Sequence, residues 1–192
     1  MIAAEGSWLL PVKSITAMEL HTGSIVETVE IEEAAFREQL PFARIDAERY
    51  LSFSERTAHQ LRSYLIGRKY LEMVADDMLQ WALRCGLVDD RRYASIYVRS
   101  HSGNSPMGNF RIQMELKKRG ISESITDDVL AERDEHDLCR ILVKTVKKRY
   151  GYLERQAGLR RAKSYLQRRG FQYDLISRVM DEVFRDSEEH TD

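Results

Sequence analysis

Three segments of this 192-residue chain align on one another without a gap, and this repeat limits the possible folds more than any other feature of the sequence. The segments are residues 61–79, 112–130 and 162–180, about fifty residues apart. In each segment an arginine follows a leucine after three residues, and a residue suited to a turn comes next. The leucines are Leu65, Leu116 and Leu166, the arginines Arg68, Arg119 and Arg169, and the turn residues Lys69, Gly120 and Gly170. The pattern predicts a chain built of repeated units.

Each segment is predicted to form two helices joined by a tight turn. The basic residue suits the negative carboxyl end of the first helix, and glycine supplies the left-handed backbone that ends it. In the second helix, apolar residues such as Ile125, Val129 and Leu130 form a single stripe for a partner helix. Lys69 replaces glycine in the first repeat, so we expect that turn to be built differently or to be strained.

One further helix is predicted upstream of each pair. Its clearest signal is "EHDLCRILVKTVKKRYG", whose apolar residues fall on one helical face, and weaker signals lie in residues 89–101 and 44–51. Helix-forming residues dominate the composition, and the chain has only three prolines. We therefore predict a mainly α protein of three tandem three-helix repeats in an elongated curved array, because one such unit alone buries too little apolar surface.

The amino-terminal region has a different pattern. Two β-leaning runs, residues 15–20 and 25–31, flank the turn-like "HTGS" and predict a β-hairpin, and "EEAAFREQL" predicts a short helix after it. The predicted domains are an extension over residues 1–40, repeat 1 over 41–87, repeat 2 over 88–133, and repeat 3 with an acidic tail over 134–192.

The adjacent carboxylates in "LVDDRRYA", Asp89 and Asp90, raise the question of a metal or acid–base site. Neighbouring residues on a helix point about 100° apart, so the two side chains cannot both bind one ion. Asp89 stands where a helix begins and is better explained as its N-cap, with Asp90 in the first turn.

A metal-dependent hydrolase is a third hypothesis, in which Glu135, His136 and Asp137 act together with His59 or another carboxylate. The sequence has no glycine-rich phosphate loop, no nucleophile elbow and no H-E-x-x-H motif. We predict no catalytic residue, no metal site and no cofactor. Two distant cysteines and the lack of a long apolar run predict a cytoplasmic protein that enters no membrane.

Charge is unevenly distributed along the chain. Residues 140–170 contain eleven basic residues and only Glu154 as an acid, whereas residues 1–55 contain four basic and ten acidic residues. This asymmetry predicts a polyanion or an acidic protein surface as partner. The predicted partner- or DNA-binding residues are Arg62, Arg68, Lys69, Arg111, Lys117, Lys118, Arg119, Lys144, Lys147, Lys148, Arg149, Arg160, Arg161, Lys163, Arg168 and Arg169.

Within these repeats, "GLVDDRRYA" (86–94) and "GNFRIQMELKKRGI" (108–121) resemble the RecX family of bacterial recombination regulators. The resemblance covers about residues 44–185, and "RTAHQLRSYL" (56–65) is similar to the first repeat of that family. Lys69 departs from the family's usual turn glycine, and the first fifty residues form an extension found only in some members.

The resemblance implies a monomeric, non-catalytic regulator in DNA repair and the SOS response. Such a protein would bind the RecA recombinase filament, with single-stranded DNA bound weakly or within the filament, and would inhibit filament growth, ATPase activity and strand exchange. The residues leave a second hypothesis open, in which the helix-turn-helix-like segments bind nucleic acid directly, without RecA.

Overall fold

The computed structural model describes residues 19, 21, 28–103, 105–150 and 155–188, and this part of the chain is helical without a strand. Its helices are α1 (Thr28–Ser52), α2 (Ala58–Gly67), α3 (Glu72–Arg84), α4 (Asp90–Ser100), α5 (Asn109–Lys118), α6 (Glu123–Ala131), α7 (Glu135–Tyr150), α8 (Arg155–Arg168) and α9 (Tyr173–Glu188). None of these helices is both long enough and apolar enough to cross a membrane.

The helices pack in three groups of three, and each group has its own apolar core. Leu61, Leu65, Val74 and Met78 belong to the core of α1–α3. Ala94, Val98, Ile112 and Leu116 belong to the core of α4–α6. Leu142, Val146, Leu166 and Ile176 belong to the core of α7–α9. The predicted three-helix repeats are therefore confirmed. The first group lies in one compact unit, residues 1–89, and the other two lie in a second, residues 90–192.

The predicted turn occurs in all three repeats with the same geometry. Lys69, Gly120 and Gly170 have φ values of 72°, 78° and 92°. In each case the following residue donates its backbone N–H to the carbonyl of the repeat leucine five positions earlier, with N···O distances of 3.3, 3.1 and 3.2 Å. This hydrogen bond is that of a Schellman motif, which closes a helix through a left-handed residue. Lys69 thus keeps the turn and carries its strain.

Contacts from α1 hold the residues on either side of Lys69. Asp46, a buried residue, accepts a hydrogen bond of 2.8 Å from the Tyr70 hydroxyl and forms an ion pair of 2.7 Å with Arg68. The Leu71 N–H donates to Oε1 of Gln39 at 2.9 Å. Burial, followed by the hydrogen bond to Asp46, raises the pKa of Tyr70 to about 12. These contacts offset the unfavourable backbone of Lys69.

Of the amino-terminal predictions, helix over residues 32–40 is confirmed, whereas strand at residues 28–31 is wrong. Residues 28–31, the end of the second predicted strand, are the first turn of α1, and the short helix predicted over residues 32–40 is part of the same long helix. The rest of the hairpin lies outside the described residues. Helix α1 also continues through Pro41. The predicted boundary between the extension and repeat 1 therefore falls inside a helix.

Aspartates that the sequence places in pairs have local structural roles. Helix α4 begins at Asp90, so Asp89 occupies the predicted N-cap position. Asp76 forms an ion pair with Arg62, and Asp128 forms one with Arg91 at 2.7 Å. Among the residues that the structure describes, no group of three His, Cys, Asp or Glu side chains could hold a metal ion.

A close backbone contact joins repeats 2 and 3 within the second unit. The Gly108 N–H donates to the Arg169 carbonyl at 2.9 Å, and the Arg111 guanidinium donates to the Arg168 carbonyl at 3.0 Å. A Cβ atom at Gly108 would collide with the backbone of Gly170 and Phe171. The start of α5 therefore satisfies carbonyls at the end of α8, groups that a helix leaves without internal partners. We call this contact the α5–α8 junction.

Arg133 makes a second connection in the same unit, just after α6. Its guanidinium donates to the Ser102 hydroxyl at 3.1 Å, to Oδ1 of Asn109 at 2.6 Å, and to the carbonyls of His101 and Met107. Burial lowers the pKa of Arg133. The guanidinium thus acts as a multiple hydrogen-bond donor that fixes the loop before α5.

Candidate partner-binding surface

Helices α2, α5 and α8 are the middle helices of the three repeats, and three aligned positions on each can be compared. On α2 these positions hold the exposed His59 and Ser63, and Ile66, which packs partly against the core of repeat 1. On α5 they hold Phe110, Met114 and Lys117, and on α8 they hold Arg160, Ser164 and Gln167. The outward faces of equivalent helices therefore differ in chemistry, so the repeats are not interchangeable as binding surfaces.

The predicted cations of repeat 1 are mostly engaged with carboxylates of the same unit. Arg62 contacts Asp76 at 2.6 Å and Glu72 at 3.1 Å, and the hydrogen bonds that it donates to Asp76 and then Glu72 raise the pKa of its guanidinium. Arg68 is paired with Asp46, as described above. Lys69 is exposed in its turn. A ligand phosphate would have to compete with these internal acids for the two arginines.

The predicted cations at the end of α5 are also paired. Lys117 contacts Glu123 at 3.2 Å, and Glu115 contacts both Lys118 at 3.4 Å and Arg119 at 2.8 Å. Hydrogen bonds from Arg119 and then Lys118 lower the pKa of Glu115. The positive charge of this helix end is therefore largely offset.

Repeat 3 differs, because several of its cations are exposed without an acidic neighbour. Lys144 and Lys148 lie one turn apart on α7, and Arg160 and Arg161 lie on α8. None of these four side chains forms an ion pair with a carboxylate in the described part of the chain. We call these four residues the repeat-3 cations. They can bind an anion without first breaking an internal ion pair.

Four more of the predicted site residues, Lys147, Arg149, Lys163 and Arg168, also lie in repeat 3. Arg149 lies 5.8 Å from the ring centroid of Tyr150, Lys163 lies 5.1 Å from that of Tyr173, and Lys147 is half-buried. Arg168 is exposed on the same side of α8 as Arg161, two turns further along.

Arg111 and Arg169 take part in the α5–α8 junction. Arg111 donates to the Arg168 carbonyl, and Arg169 donates to the Ser105 carbonyl and hydroxyl. The N–H groups that form these hydrogen bonds are already occupied. We therefore assign the two arginines to holding α5 and α8 in position.

Phe110 and Met114 were not among the predicted site residues, yet they form an exposed apolar pair on α5. They are 55% and 45% exposed and lie one turn apart, beside Lys117. The signal in the sequence is their spacing, which places them away from the Ile112 and Leu116 stripe. Sequence reasoning missed it because an apolar residue on a helix is usually assigned to the core.

The residues considered for enzyme chemistry make contacts within the second unit. Glu135 accepts the Asn109 N–H at 2.6 Å, and His136 lies 3.1 Å from a carboxylate oxygen of Glu182 on α9. The Asp137 N–H donates to the side chain of Asp134, which precedes α7. These contacts explain the three residues as parts of a helix start and of its packing.

Comparisons with known families match both repeats of the second unit. The family model described as "RecX, second three-helix domain" matches residues 89–130, which contain α4–α6. The model described as "RecX, third three-helix domain" matches residues 134–180, which contain α7, α8 and the first half of α9.

Individual relatives extend the similarity over most of the chain. Regulatory protein RecX of Chlorobium phaeobacteroides is 32% identical over 141 residues, which cover 72% of this chain and 91% of the relative. Regulatory protein RecX of Trichlorobacter lovleyi is 32% identical over 143 residues, covering 70% and 91%. The fold is similar to the crystal structure of RecX from Lactobacillus salivarius, with a TM-score of 0.69, 24% identity, and coverage of 76% of this chain and 97% of that one. From these matches and the three-helix repeats, we conclude that the chain belongs to the RecX family.

Proposed function

We propose that this chain is a cytoplasmic regulatory protein that binds the RecA recombinase filament on single-stranded DNA and inhibits its growth, ATPase activity and strand exchange. Membership of the RecX family supports a regulatory role, since the relatives are named regulatory proteins. The observation that carries the proposed mode of binding is the contrast in pairing: cations of repeats 1 and 2 contact internal acids, whereas the repeat-3 cations do not.

Physical reasoning links this contrast to the filament. A filament on single-stranded DNA presents phosphates beside protein surface, and an exposed cation gains attraction to them without giving up an existing ion pair. Phe110 and Met114 add apolar surface that a protein partner could cover and that a phosphate backbone alone could not. In this proposal the protein acts by binding to the filament, a role that requires no catalytic residue, metal or cofactor.

The proposal is tested by RecA-driven ATP hydrolysis on single-stranded DNA at substoichiometric amounts of the protein. We expect inhibition by the wild type and at least about tenfold weaker inhibition by the double variant Arg160→Glu/Arg161→Glu, because like charges would face phosphate. The matched control is Arg84→Glu/Arg178→Glu, which makes the same charge change at two exposed arginines outside the surface. No inhibition by the wild type at any ratio, or equal loss in both variants, would contradict the proposal.

Direct nucleic-acid binding without RecA is the second candidate, favoured by the same repeat-3 cations. Binding to bare and to RecA-coated single-stranded DNA, measured across a salt series, separates the two. A purely phosphate-driven interaction has the same salt dependence on both substrates. A filament-directed protein binds the coated DNA more tightly at high salt, where phosphate attraction is weak.

A further inference from the structure

Helix α1 packs Phe36 and Leu40 half-buried against the core of repeat 1, but it leaves other large apolar side chains exposed. Phe42 and Ile45 are 59% and 54% exposed, and Phe53, directly after the helix, is 78% exposed. Ala43 and Ala47, which α1 buries in the core of repeat 1, are fully buried. A helix in a monomer is expected to place its bulkiest apolar residues in the core. The exposure of Phe42 and Ile45 therefore indicates that a partner covers this side of α1.

Part of the surface of α1 forms a stripe with symmetric spacing. Its exposed residues are Glu38, Phe42, Ile45 and Arg49; the half-buried Ala34 precedes them, and Phe53, directly after the helix, follows them. The six residues are separated by four, four, three, four and four positions. Steps of three and four keep residues on one side of a helix. A stripe with symmetric spacing can be aligned, position by position, with an inverted copy of itself.

We infer that α1 is the contact between two copies of this chain, packed antiparallel about a two-fold axis that passes between Ala43 and Arg44. In that arrangement Phe42 of one copy faces Ile45 of the other. The outer positions then bring Glu38 opposite Arg49, and the small Ala34 opposite the large Phe53. Each facing pair is complementary in charge, in size or in apolar character, and each occurs twice, as a two-fold interface requires.

Charge selects the antiparallel orientation over the parallel one. In a parallel pair in register, Glu38 would face Glu38 and Arg49 would face Arg49, and like charges face to face are unfavourable. In the antiparallel pair both positions become ion pairs. The resemblance to the RecX family led us to expect a monomer, and it is the exposure of Phe42 and Ile45 that argues otherwise.

The dimer is weak and reversible. From Ala34 to the end of α1 the stripe runs about 27 Å, which places the interface toward the small end of specific protein contacts. We therefore expect dissociation in the micromolar range, so that dilution yields monomer. The inference is independent of the proposed regulatory function, because it concerns the chain alone.

Sedimentation equilibrium of the full chain, between about 1 and 200 µM, tests the inference with charge-reversed variants. We expect the wild type to dimerise and Glu38→Arg and Arg49→Glu each to weaken dimerisation at least about tenfold, because each variant places like charges opposite each other at two symmetric positions. An equimolar mixture of the two variants should restore dimers, since every facing pair is then again an acid with a base.

Matched controls reverse the same charges elsewhere on α1. Glu33→Arg and Arg37→Glu alter exposed residues outside the stripe, so they should leave dimerisation unchanged. Circular dichroism checks that every variant remains helical. A wild type that is monomeric at 200 µM, a Glu38→Arg variant that dimerises as strongly as the wild type, or a mixture that stays monomeric would each overturn the inference.

Discussion

Lys69 has a backbone φ of 72°, whereas the equivalent residues of the other two repeats are glycines. A side chain in this left-handed region brings its Cβ close to the following carbonyl oxygen, at a cost of about 1 kcal/mol or more. The fixed contacts of Arg68, Tyr70 and Leu71 with α1 hold the turn in place despite that cost. The favourable contacts of its neighbours therefore offset the unfavourable backbone conformation of Lys69.

Replacing Lys69 by glycine should stabilise the protein. Relief of the left-handed strain outweighs the extra chain entropy of glycine in the unfolded state, and we expect a gain of about 0.5–1 kcal/mol in the free energy of unfolding. Urea titration followed by circular dichroism measures the change. Lys69→Ala is the control, since it removes the charged side chain but keeps the strain. Equal gains in the two variants would show that the lysine charge, and not the backbone, is responsible.

The two cysteines should differ sharply in reactivity. Cys139 is fully buried, and burial, followed by the charge of Glu135, raises the pKa of its thiol to about 12, whereas Cys85 is exposed. Thiolate is the reactive form, so a thiol reagent at pH 8 should label Cys85 quickly and Cys139 only when the protein opens. Absorbance of the released reagent anion gives both rates. Cys85→Ser should abolish the fast phase, and two equal rates would contradict the burial of Cys139.

At the scale of helices, the α5–α8 junction depends on the absence of a side chain at one position. Gly108 approaches the backbone of Gly170 and Phe171 so closely that a Cβ atom could be placed only by moving α5 away from α8. That movement would lengthen the hydrogen bond from Gly108 to Arg169. The close approach of two helices from different repeats thus depends on the backbone at Gly108, and the side chains of Arg111 and Arg169 add further hydrogen bonds.

Gly108→Ala should therefore destabilise the second unit by about 1–3 kcal/mol, the usual cost of overpacking. Urea titration measures the loss, and amide hydrogen exchange at the carboxyl end of α8 should speed up at the same time. Gly103→Ala is the matched control, because Gly103 lies in the same connection and a Cβ there meets no atom within 4 Å. An unchanged free energy of unfolding in Gly108→Ala would rule out the close contact.

The helices and turns of the repeats could be predicted because their signals are local. Leu116, Arg119 and Gly120 lie within five residues, and the same local physics acts at the aligned positions of the other repeats. The first turn of α1 was missed because residues 25–31 are β-leaning, while the packing of Ala43 and Ala47 on other helices favours a long helix.

The candidate site could be predicted only as a set of cations. Whether a cation is paired depends on residues distant in sequence, such as Asp76 beside Arg62 or Asp46 beside Arg68. The sequence contains no local signal for these contacts, since they arise when helices pack. For the same reason, nothing near Arg111 and Arg169 in the sequence indicates that they bind carbonyls and Ser105 in the α5–α8 junction.

For the whole molecule, a net charge of −1 conceals the separation between an acidic first quarter and a strongly basic stretch over residues 140–170. Long-range attraction to a polyanion depends on where uncompensated charge lies and not on the total. Internal pairing removes much of the positive field from α2 and α5, so the field should be concentrated at the repeat-3 cations. The salt dependence of binding measures that distribution directly.

Arg160→Gln/Arg161→Gln should therefore reduce the salt dependence of binding to single-stranded DNA, whereas Lys117→Gln/Lys118→Gln should leave it nearly unchanged. Each phosphate contact contributes about −0.7 to the slope of log K against log salt concentration, so two lost contacts should make the slope less negative by about 1.4. The two variants remove equal charge from adjacent residues on equivalent middle helices, but Lys117 and Lys118 already contact Glu123 and Glu115. Fluorescence anisotropy with labelled DNA gives both slopes, measured over about 50 to 300 mM salt. Equal changes in the two variants would mean that internal pairing does not decide which cations bind, and the distinction between repeats 2 and 3 would fail.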